Sequence, residues 1–289
     1  ALKSRHVLVR HLGLMGKVVV IDEVHAADEY METYLEAALT WLGMYGIPVV
    51  LLSATLPPAR RRALLDAYRR GRGSSGEGAE SVEGVIGYPV ISTLSAAGVH
   101  VHEITGEAEA PKRIIPTSLG SPDEIAELLD CELVDGGCAV VIRNTVREAQ
   151  ETYDAVKAVF GREQTTLLHS RFLAAERTSR DRRMLELFGK GATRRPQRHV
   201  VVATQVIEQS LDVDFDLMLT DPAPMDLILQ RIGRLHRHER ADRPVGLREA
   251  RCLVVVEDLF AVPWAYSTGT DHVYSRHAVL RTLGILSDR

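Results

Sequence analysis

Short apolar runs alternate with helical segments along this chain, and this alternation restricts its fold more than any other feature. The run Val18-Val19-Val20-Ile21 predicts a fully buried strand, and residues 47–52 predict a second one. Between them, residues 28–42 carry apolar side chains at helical spacing, and Pro57 and Pro58 can open the next helix. Strands that alternate with helices in this way form parallel sheets. The chain is therefore predicted to be an α/β protein.

A second alternation follows the glycine- and serine-rich stretch at residues 71–84, which is predicted to be a loop. Ser121 can cap a helix that starts at Pro122, and another helix is predicted near residues 274–283. The predicted strands of this part are residues 99–105, 113–118, 139–142, 166–168, 200–203, 217–219 and 252–256. These elements predict a first lobe at residues 1–95, a second lobe at 96–258 and an accessory region at 259–289.

The composition allows two ordinary domains, because 289 residues with 45% hydrophobic content can bury two sizeable cores. No apolar run approaches membrane-spanning length and no signal pattern opens the chain, which predicts a cytoplasmic protein with no membrane contact. The net charge of -4 argues against a surface that is basic throughout, but it allows a local basic track. Cys131, Cys138 and Cys252 are odd in number and lack C-x-x-C spacing, so they are predicted to be buried thiols.

Two motifs, some two hundred residues apart, carry most of the chemical information. Asp22-Glu23-Val24-His25 follows a strand, where one carboxylate can hold a metal and its neighbour can accept a proton. Gln230-Arg231-Ile232-Gly233-Arg234 places two guanidiniums three residues apart, hence on one helical face, where they suit phosphate oxygens. Together the two motifs predict a nucleoside-triphosphate-driven motor that is divided between two lobes.

Polar residues also follow three strands of the second alternation. They are Arg143-Asn144-Thr145, His169-Ser170-Arg171 and Thr204-Gln205. Carboxyl ends of parallel strands share one edge, so these side chains are predicted to contact the phosphates of a single nucleic-acid strand. For the first two groups, a capped helix start is an equally good interpretation.

Together with Ser53-Ala54-Thr55, these motifs resemble motifs of superfamily 2 helicases, both in their residues and in their order along the chain. The resemblance implies ATP and Mg²⁺ as cofactors, with Asp22 holding Mg²⁺ through water, Glu23 polarising the attacking water, and Arg231 and Arg234 acting in catalysis. It also implies that His25, Ser53 and Thr55 couple nucleotide state to nucleic acid, and that Asp212 and Gln230 belong to the nucleotide site. His25 alone is more often structural, and the two hydroxyls can also act as helix caps.

The wording of the motifs narrows the resemblance. Val20-Ile21-Asp22-Glu23-Val24-His25-Ala26, Leu167-Leu168-His169-Ser170-Arg171-Phe172 and Glu208-Gln209-Ser210-Leu211-Asp212 resemble the CRISPR-associated helicase-nuclease of type I systems. This family implies two RecA-like lobes, the first truncated here, with a short C-terminal extension. It implies 3′ to 5′ movement along single-stranded DNA during CRISPR interference, and an RNA-guided surveillance complex as partner.

The sequence departs from that family in two respects. It contains no G-x-x-x-x-G-K-[ST], since Gly13-Leu14-Met15-Gly16-Lys17-Val18 lacks the final hydroxyl residue, and no His-Asp nuclease motif precedes Val18. We therefore expect a C-terminal part of a longer or split protein, with the nuclease and phosphate-loop region supplied in cis or in trans. The chain alone is expected to lack ATPase activity. An RNA or DNA-repair helicase, and a non-catalytic nucleic-acid-binding remnant, are the alternatives.

Overall fold

The computed structural model describes residues 13–24, 29–54, 56–73, 89–95, 97–104, 111–170, 174–208 and 212–287. The chain divides into two compact units, Ala1–Ala108 and Glu109–Arg289. This division lies at residues 108 and 109, whereas the sequence pattern predicted a boundary at residues 95 and 96. The two units are described in turn.

The first unit contains two short parallel strands and two helices. Strand β1 (Val19–Ile21) pairs with β2 (Val49–Leu51), and helices α1 (Glu29–Met44) and α2 (Pro58–Gly71) follow the two strands in turn. A small core joins Val24 with Leu39, Leu64 and Ala67, and the inward-facing strand residues pack against it. The predicted order of strand, helix, strand and helix is therefore confirmed.

The prediction that residues 18–21 form a fully buried strand is wrong. Val18 and Val20 are 61% and 59% exposed, and Val50 and Leu52 on the neighbouring strand are 43% and 46% exposed. Side chains alternate between the two faces of a strand, and the core of this unit covers only the face that carries Ile21, Val49 and Leu51. Within the described part of this unit, the other face of the two-stranded sheet carries the exposed side chains of Val20 and Val50.

An antiparallel hairpin completes the described part of the first unit. Strand β3 (Val90–Ser95) pairs with β4 (Gly98–Glu103), with Ser95 opposite Gly98. The sequence pattern predicted the second of these strands and missed the first. The structure places both strands in the same compact unit as β1 and β2.

The second unit is built on a six-stranded parallel sheet. Its strands are β5 (Arg113–Ser118), β6 (Gly137–Ile142), β7 (Thr165–Leu168), β8 (Arg198–Ala203), β9 (Leu217–Thr220) and β10 (Arg251–Val256). Their order across the sheet is β5-β10-β9-β6-β8-β7, and each neighbouring pair runs parallel. All six strands were predicted to within a few residues. The α/β fold class, consistent with a RecA-like lobe, is confirmed.

Helices cover both faces of this sheet, which explains why its central strands are apolar on both sides. The helices are α3 (Pro122–Glu132), α4 (Val146–Phe160), α5 (Ala174–Phe188), α6 (Met225–Ile232) and α7 (Arg276–Ser287). One face of β6 and β8 packs with residues of α5 and α6, and the other face packs with residues of α3 and α4. Helix α7 packs against β10. The predicted cap of α3 is present, because Ser121 Oγ accepts a hydrogen bond of 3.2 Å from the Glu124 amide.

The three cysteines are free, and they differ in their surroundings. Cys138 and Cys252 are buried as predicted, and burial raises the pKa of each thiol to about 12. The prediction for Cys131 is wrong, because this residue lies near the end of α3 and is exposed. No helix in the described part of the chain is long and apolar enough to span a membrane.

Candidate functional site

The central strands of the second sheet end at one level, which brings the predicted strand-end residues to one edge. Ile142 lies in register with both Thr220 and Ala203, and Ala203 lies in register with Leu168. Backbone bonds continue past this level: the Arg143 amide donates to Ala203 O at 2.8 Å and the Thr204 amide donates to Leu168 O at 3.0 Å. Asp221, Arg143, Thr204 and His169 therefore follow neighbouring strands in the order of the sheet.

The group Arg143-Asn144-Thr145 is bound into the protein interior. Arg143 is paired with the buried carboxylate of Asp221, with 3.2 Å between Nε and Oδ2. Asn144 is 2% exposed, and its side-chain amide donates to Pro222 O at 2.8 Å and to Thr270 Oγ1 at 2.9 Å. Thr145 forms a reciprocal capping box with Glu148 at the start of α4. Of the two interpretations left open for this group, the capped helix start is the one that the structure shows for Thr145.

The remaining residues predicted to contact nucleic acid differ in exposure. Thr204 and His169 are 2% and 7% exposed, and Gln205 Nε2 donates to Asn144 O at 2.8 Å. Ser170 is exposed at the end of the same edge. Arg171 lies outside the described residues. Contacts of this group with nucleic acid stay a prediction, and within the described part Ser170 is the exposed member.

Arg231 lies at the centre of a buried polar network. Its side chain is 0% exposed, and Nε donates to Glu208 Oε1 at 2.7 Å. Nη1 donates to Thr220 Oγ1 at 2.6 Å and to Asp221 O at 3.1 Å, while Nη2 donates to Asn144 Oδ1 at 3.2 Å and to Tyr274 OH at 3.0 Å. Every guanidinium nitrogen thus has a partner inside the unit. A direct contact of Arg231 with phosphate would require some of these bonds to be exchanged.

Arg234 occupies a different position from Arg231. Helix α6 ends at Ile232 with Gly233 as its C-cap, so Arg234 lies beyond the helix. The prediction that both arginines share one helical face is therefore wrong. Arg234 is half-buried, and its Nη2 donates to the backbone oxygen of Glu208 at 2.9 Å. Glu208 thereby contacts both arginines, Arg231 through its side chain and Arg234 through its carbonyl. Gln230 is half-buried on α6.

An exposed ion pair lies close to Arg234 in sequence. Arg237 Nε is 2.5 Å from Asp212 Oδ1, and the two side chains are 39% and 51% exposed. His238 Nε2 lies 3.3 Å from the same oxygen. The hydrogen bond from Arg237 lowers the pKa of Asp212. The guanidinium of Arg237 therefore lies three residues beyond Arg234 with much of its surface accessible, and no sequence motif had indicated it.

A buried network around Asp214 and Asp216 was also not predicted from the sequence. Arg240 Nε donates to Asp214 at 2.5 Å, Arg195 Nη2 donates to Asp216 at 2.8 Å, and Arg243 binds both carboxylates. Burial would raise the pKa of Asp214, but the hydrogen bonds from Arg240 and Arg243 outweigh it and the pKa is lowered. Two carboxylates two residues apart, with arginines downstream, were visible in the sequence, but their pairing required the fold.

In the first unit, the acidic motif lies at the end of β1. Asp22 and Glu23 are exposed, and the Glu23 amide donates to Asp22 Oδ1 at 2.8 Å. Glu23 has a φ of 55°, a left-handed conformation that is uncommon for a residue with a side chain and is often found at functional sites. Ser53 is half-buried after the neighbouring β2, while His25 and Thr55 lie outside the described residues. An exposed carboxylate suits Mg²⁺ that keeps most of its water ligands, so Asp22 fits the predicted role.

The sequence and the fold of this chain were compared with those of known proteins. The sequence model described as CRISPR-associated nuclease/helicase Cas3, C-terminal, matches residues 135–240. The Cas3 nuclease/helicase of Streptococcus thermophilus is 39% identical over 293 aligned residues, which cover 100% of this chain and 31% of that protein. The crystal structure of T. fusca Cas3-AMPPNP superimposes with a TM-score of 0.84 at 35% identity, covering 96% of this chain and 33% of that one.

The chain corresponds to a C-terminal part of Cas3 nuclease/helicases. It spans about a third of the length of the curated Cas3 relatives that it matches. A chain in the structure of a CRISPR RNA-guided surveillance complex in a pre-nicking state also matches, with a TM-score of 0.79 at 32% identity. The match covers 97% of this chain and 38% of that chain. The resemblance that the motifs indicated is thus confirmed over both units.

Proposed function

We propose that this chain carries part of the motor of a Cas3 protein that uses ATP to move 3′ to 5′ along single-stranded DNA during CRISPR interference. The observation that supports this most is the 39% identity to a Cas3 nuclease/helicase over the whole chain. The motif residues of the second unit, gathered at one sheet edge, add support because α/β sheets bind ligands beyond the carboxyl ends of their strands.

The two acidic residues would divide the work on ATP. Asp22, exposed at the end of β1, would hold Mg²⁺ through water, and the ion would neutralise charge on the phosphates. Glu23 would orient the attacking water and accept its proton, since a carboxylate beside a metal site is suited to that task. The left-handed backbone at Glu23 fixes the direction in which its side chain leaves the strand end.

The arginines of the second unit would have unequal roles. Arg234 and Arg237 keep accessible surface and would stabilise the charge that develops on the transferred phosphoryl group. Arg231 is 0% exposed and saturated with internal partners, so it would position Glu208 and thereby Arg234. This division of roles separates Arg231 and Arg234 experimentally, although they are three residues apart.

The test is DNA-stimulated ATP hydrolysis by the full-length protein that contains these residues. Arg234→Ala should lower the rate of hydrolysis by about 10³–10⁵, the contribution of an arginine finger, and ATP binding should change little. Glu23→Gln should lower the rate by about 10²–10⁴, the contribution of a general base. Arg248→Ala, at an exposed arginine of the same unit, is the matched control and should keep the parent rate. Parent-like hydrolysis by Arg234→Ala would remove Arg234 from the reaction.

The proposed partner is an RNA-guided surveillance complex on target DNA, met in the cytoplasm. A chain that is 32% identical to this one is part of the structure of such a complex, and this supports the assignment. The RNA and DNA-repair helicase alternatives predict recruitment that does not depend on a guide. Binding of the full-length protein to DNA that carries a matched guide complex, compared with a mismatched one, distinguishes them.

A further inference from the structure

After the last strand of the sheet, the chain returns to the carboxyl edge where the motif residues lie. The returning segment, residues 267–274, contains a short 3₁₀ turn (Thr268–His272) and precedes α7. We refer to residues 267–274 as the strap. Its contacts involve side chains that the proposed mechanism uses only indirectly.

Three polar side chains of the strap bond to three different parts of the edge. The hydroxyl of Ser267 donates a hydrogen bond to Glu148 Oε1, and Glu148 is the N3 residue of the capping box that starts α4. Thr270, which is 0% exposed, accepts from Asn144 Nδ2 at 2.9 Å. Tyr274 OH accepts from Arg231 Nη2 at 3.0 Å. The strap therefore ties the helix start, the loop after β6 and helix α6 together.

The strap approaches the edge so closely that a side chain would not fit at its centre. A Cβ added to the buried Gly269 would lie 2.8 Å from Glu148 Oε1 and 2.9 Å from Thr145 Cγ2. Both distances are shorter than real Cβ contacts, so the strap or the cap would have to move. The absence of a side chain at Gly269 is what allows Thr270 to reach Asn144.

We propose that the strap is a positioning element for the arginine motif. Thr270 and Tyr274 hold Asn144 and Arg231, which also bond to each other at 3.2 Å. Arg231 in turn fixes the side chain of Glu208, whose carbonyl accepts from Arg234 at 2.9 Å. A break at the strap would therefore reach Arg234 through two bonded residues. The catalytic consequence of this chain of contacts rests on the function proposed above.

The experiment uses the full-length protein with Tyr274→Phe and Thr270→Val, each of which removes one hydroxyl with little change of volume. Thr270→Ser keeps the hydroxyl that Thr270→Val removes. Thr268→Val changes an exposed residue of the same turn and serves as a control. Tyr274→Phe should lower kcat for ATP by about tenfold or more, the effect of losing one hydrogen bond to a charged group, with KM within about twofold. Hydrogen exchange should quicken at residues 143–146 and 230–234 and stay unchanged in β8 and β9.

Three results would overturn the proposal. One is parent-like kcat and parent-like exchange in Tyr274→Phe and Thr270→Val. Another is an equal loss in Thr268→Val or no recovery in Thr270→Ser. The third is faster exchange across the whole sheet, which would indicate general destabilisation. If the parent protein itself hydrolyses no ATP, the proposed function fails, while hydrogen exchange at residues 143–146 and 230–234 still tests the strap.

Discussion

Replacing Arg231 by methionine should strongly lower the free energy of unfolding of the second unit, although methionine keeps most of the apolar part of the arginine side chain. The substitution removes the partner of Glu208, whose carboxylate is 6% exposed and 2.7 Å from Arg231 Nε. It also leaves Thr220 Oγ1, Asn144 Oδ1 and Tyr274 OH without the guanidinium that donates to them. A buried carboxylate without its partner is the dominant cost.

Removing one partner of a buried ion pair costs about 3–5 kcal/mol of stability, because the other charge stays buried without a partner. The net contribution of the intact pair to stability is far smaller. Protonation of the remaining carboxylate relieves part of this cost. Burial already raises the pKa of Glu208 against the opposing charge of Arg231, and loss of Arg231 should raise that pKa further. The folded variant then binds a proton that the unfolded chain releases at neutral pH. The destabilisation should therefore be smaller near pH 5 than near pH 7.5.

The assay is urea unfolding of the full chain, followed by far-ultraviolet circular dichroism at both pH values. Arg231→Met/Glu208→Gln should recover part of the loss at pH 7.5, because an amide is less costly to bury than an unpaired carboxylate. Arg248→Met, at an exposed site, serves as the control. A loss below about 1 kcal/mol for Arg231→Met, or no recovery in the double variant, would refute the structural role given to Arg231.

Three further predictions follow from other residues. Burial and, to a smaller extent, the charge of Arg183 lower the pKa of His199 to about 4. As the pH drops from 6.5 to 4, the unfolded chain therefore binds a proton before the folded chain does. The free energy of unfolding should fall by up to about 3 kcal/mol over this range. The urea midpoint of His199→Gln should fall much less over this pH range than that of the parent. An equal fall in both proteins would exclude His199 as the source. Arg143→Ala should destabilise the protein by leaving Asp221 without its ion pair, and it should not alter the salt dependence of single-strand binding. A log-log slope reduced by about 0.7, with unchanged stability, would instead show a phosphate contact. The 289 residues expressed alone should hydrolyse ATP at background level because they contain no G-x-x-x-x-G-K-[ST], and robust hydrolysis abolished by Glu23→Gln would contradict this.

The sheet of the second unit could be predicted because its strands are buried on both faces. Continuous apolar runs such as residues 139–142 and 200–203 mark such strands without ambiguity once helical segments separate them. Strand β3 was missed for the opposite reason. Its side chains alternate between half-buried and exposed, and Ser92, Thr93 and Ser95 weaken the apolar signal. The same limit applies to β1, whose apolar outer face looked buried in sequence and is open in the described part of the unit.

The candidate site could be located from sequence, but the roles within it could not be divided. Strand ends identify the edge, so Arg143, Thr204 and His169 were found where the structure places them. The burial and bonding of Arg231 depend on Glu208 and Tyr274, which lie 23 and 43 residues away along the chain. Spacing alone treats Arg231 and Arg234 as equivalent. Their difference arises because α6 ends between them and because Arg231 donates a hydrogen bond to Tyr274 of the strap.

Directional movement on DNA tests the central claim most directly. The full-length protein is given duplexes that carry a single-stranded tail at either the 3′ or the 5′ end, with and without ATP, and strand separation is followed over time. We expect ATP-dependent separation of the 3′-tailed duplex, no separation of the 5′-tailed duplex, and loss of separation in Glu23→Gln and Arg234→Ala. Separation without ATP, a preference for the 5′ tail, or full activity in both variants would contradict it.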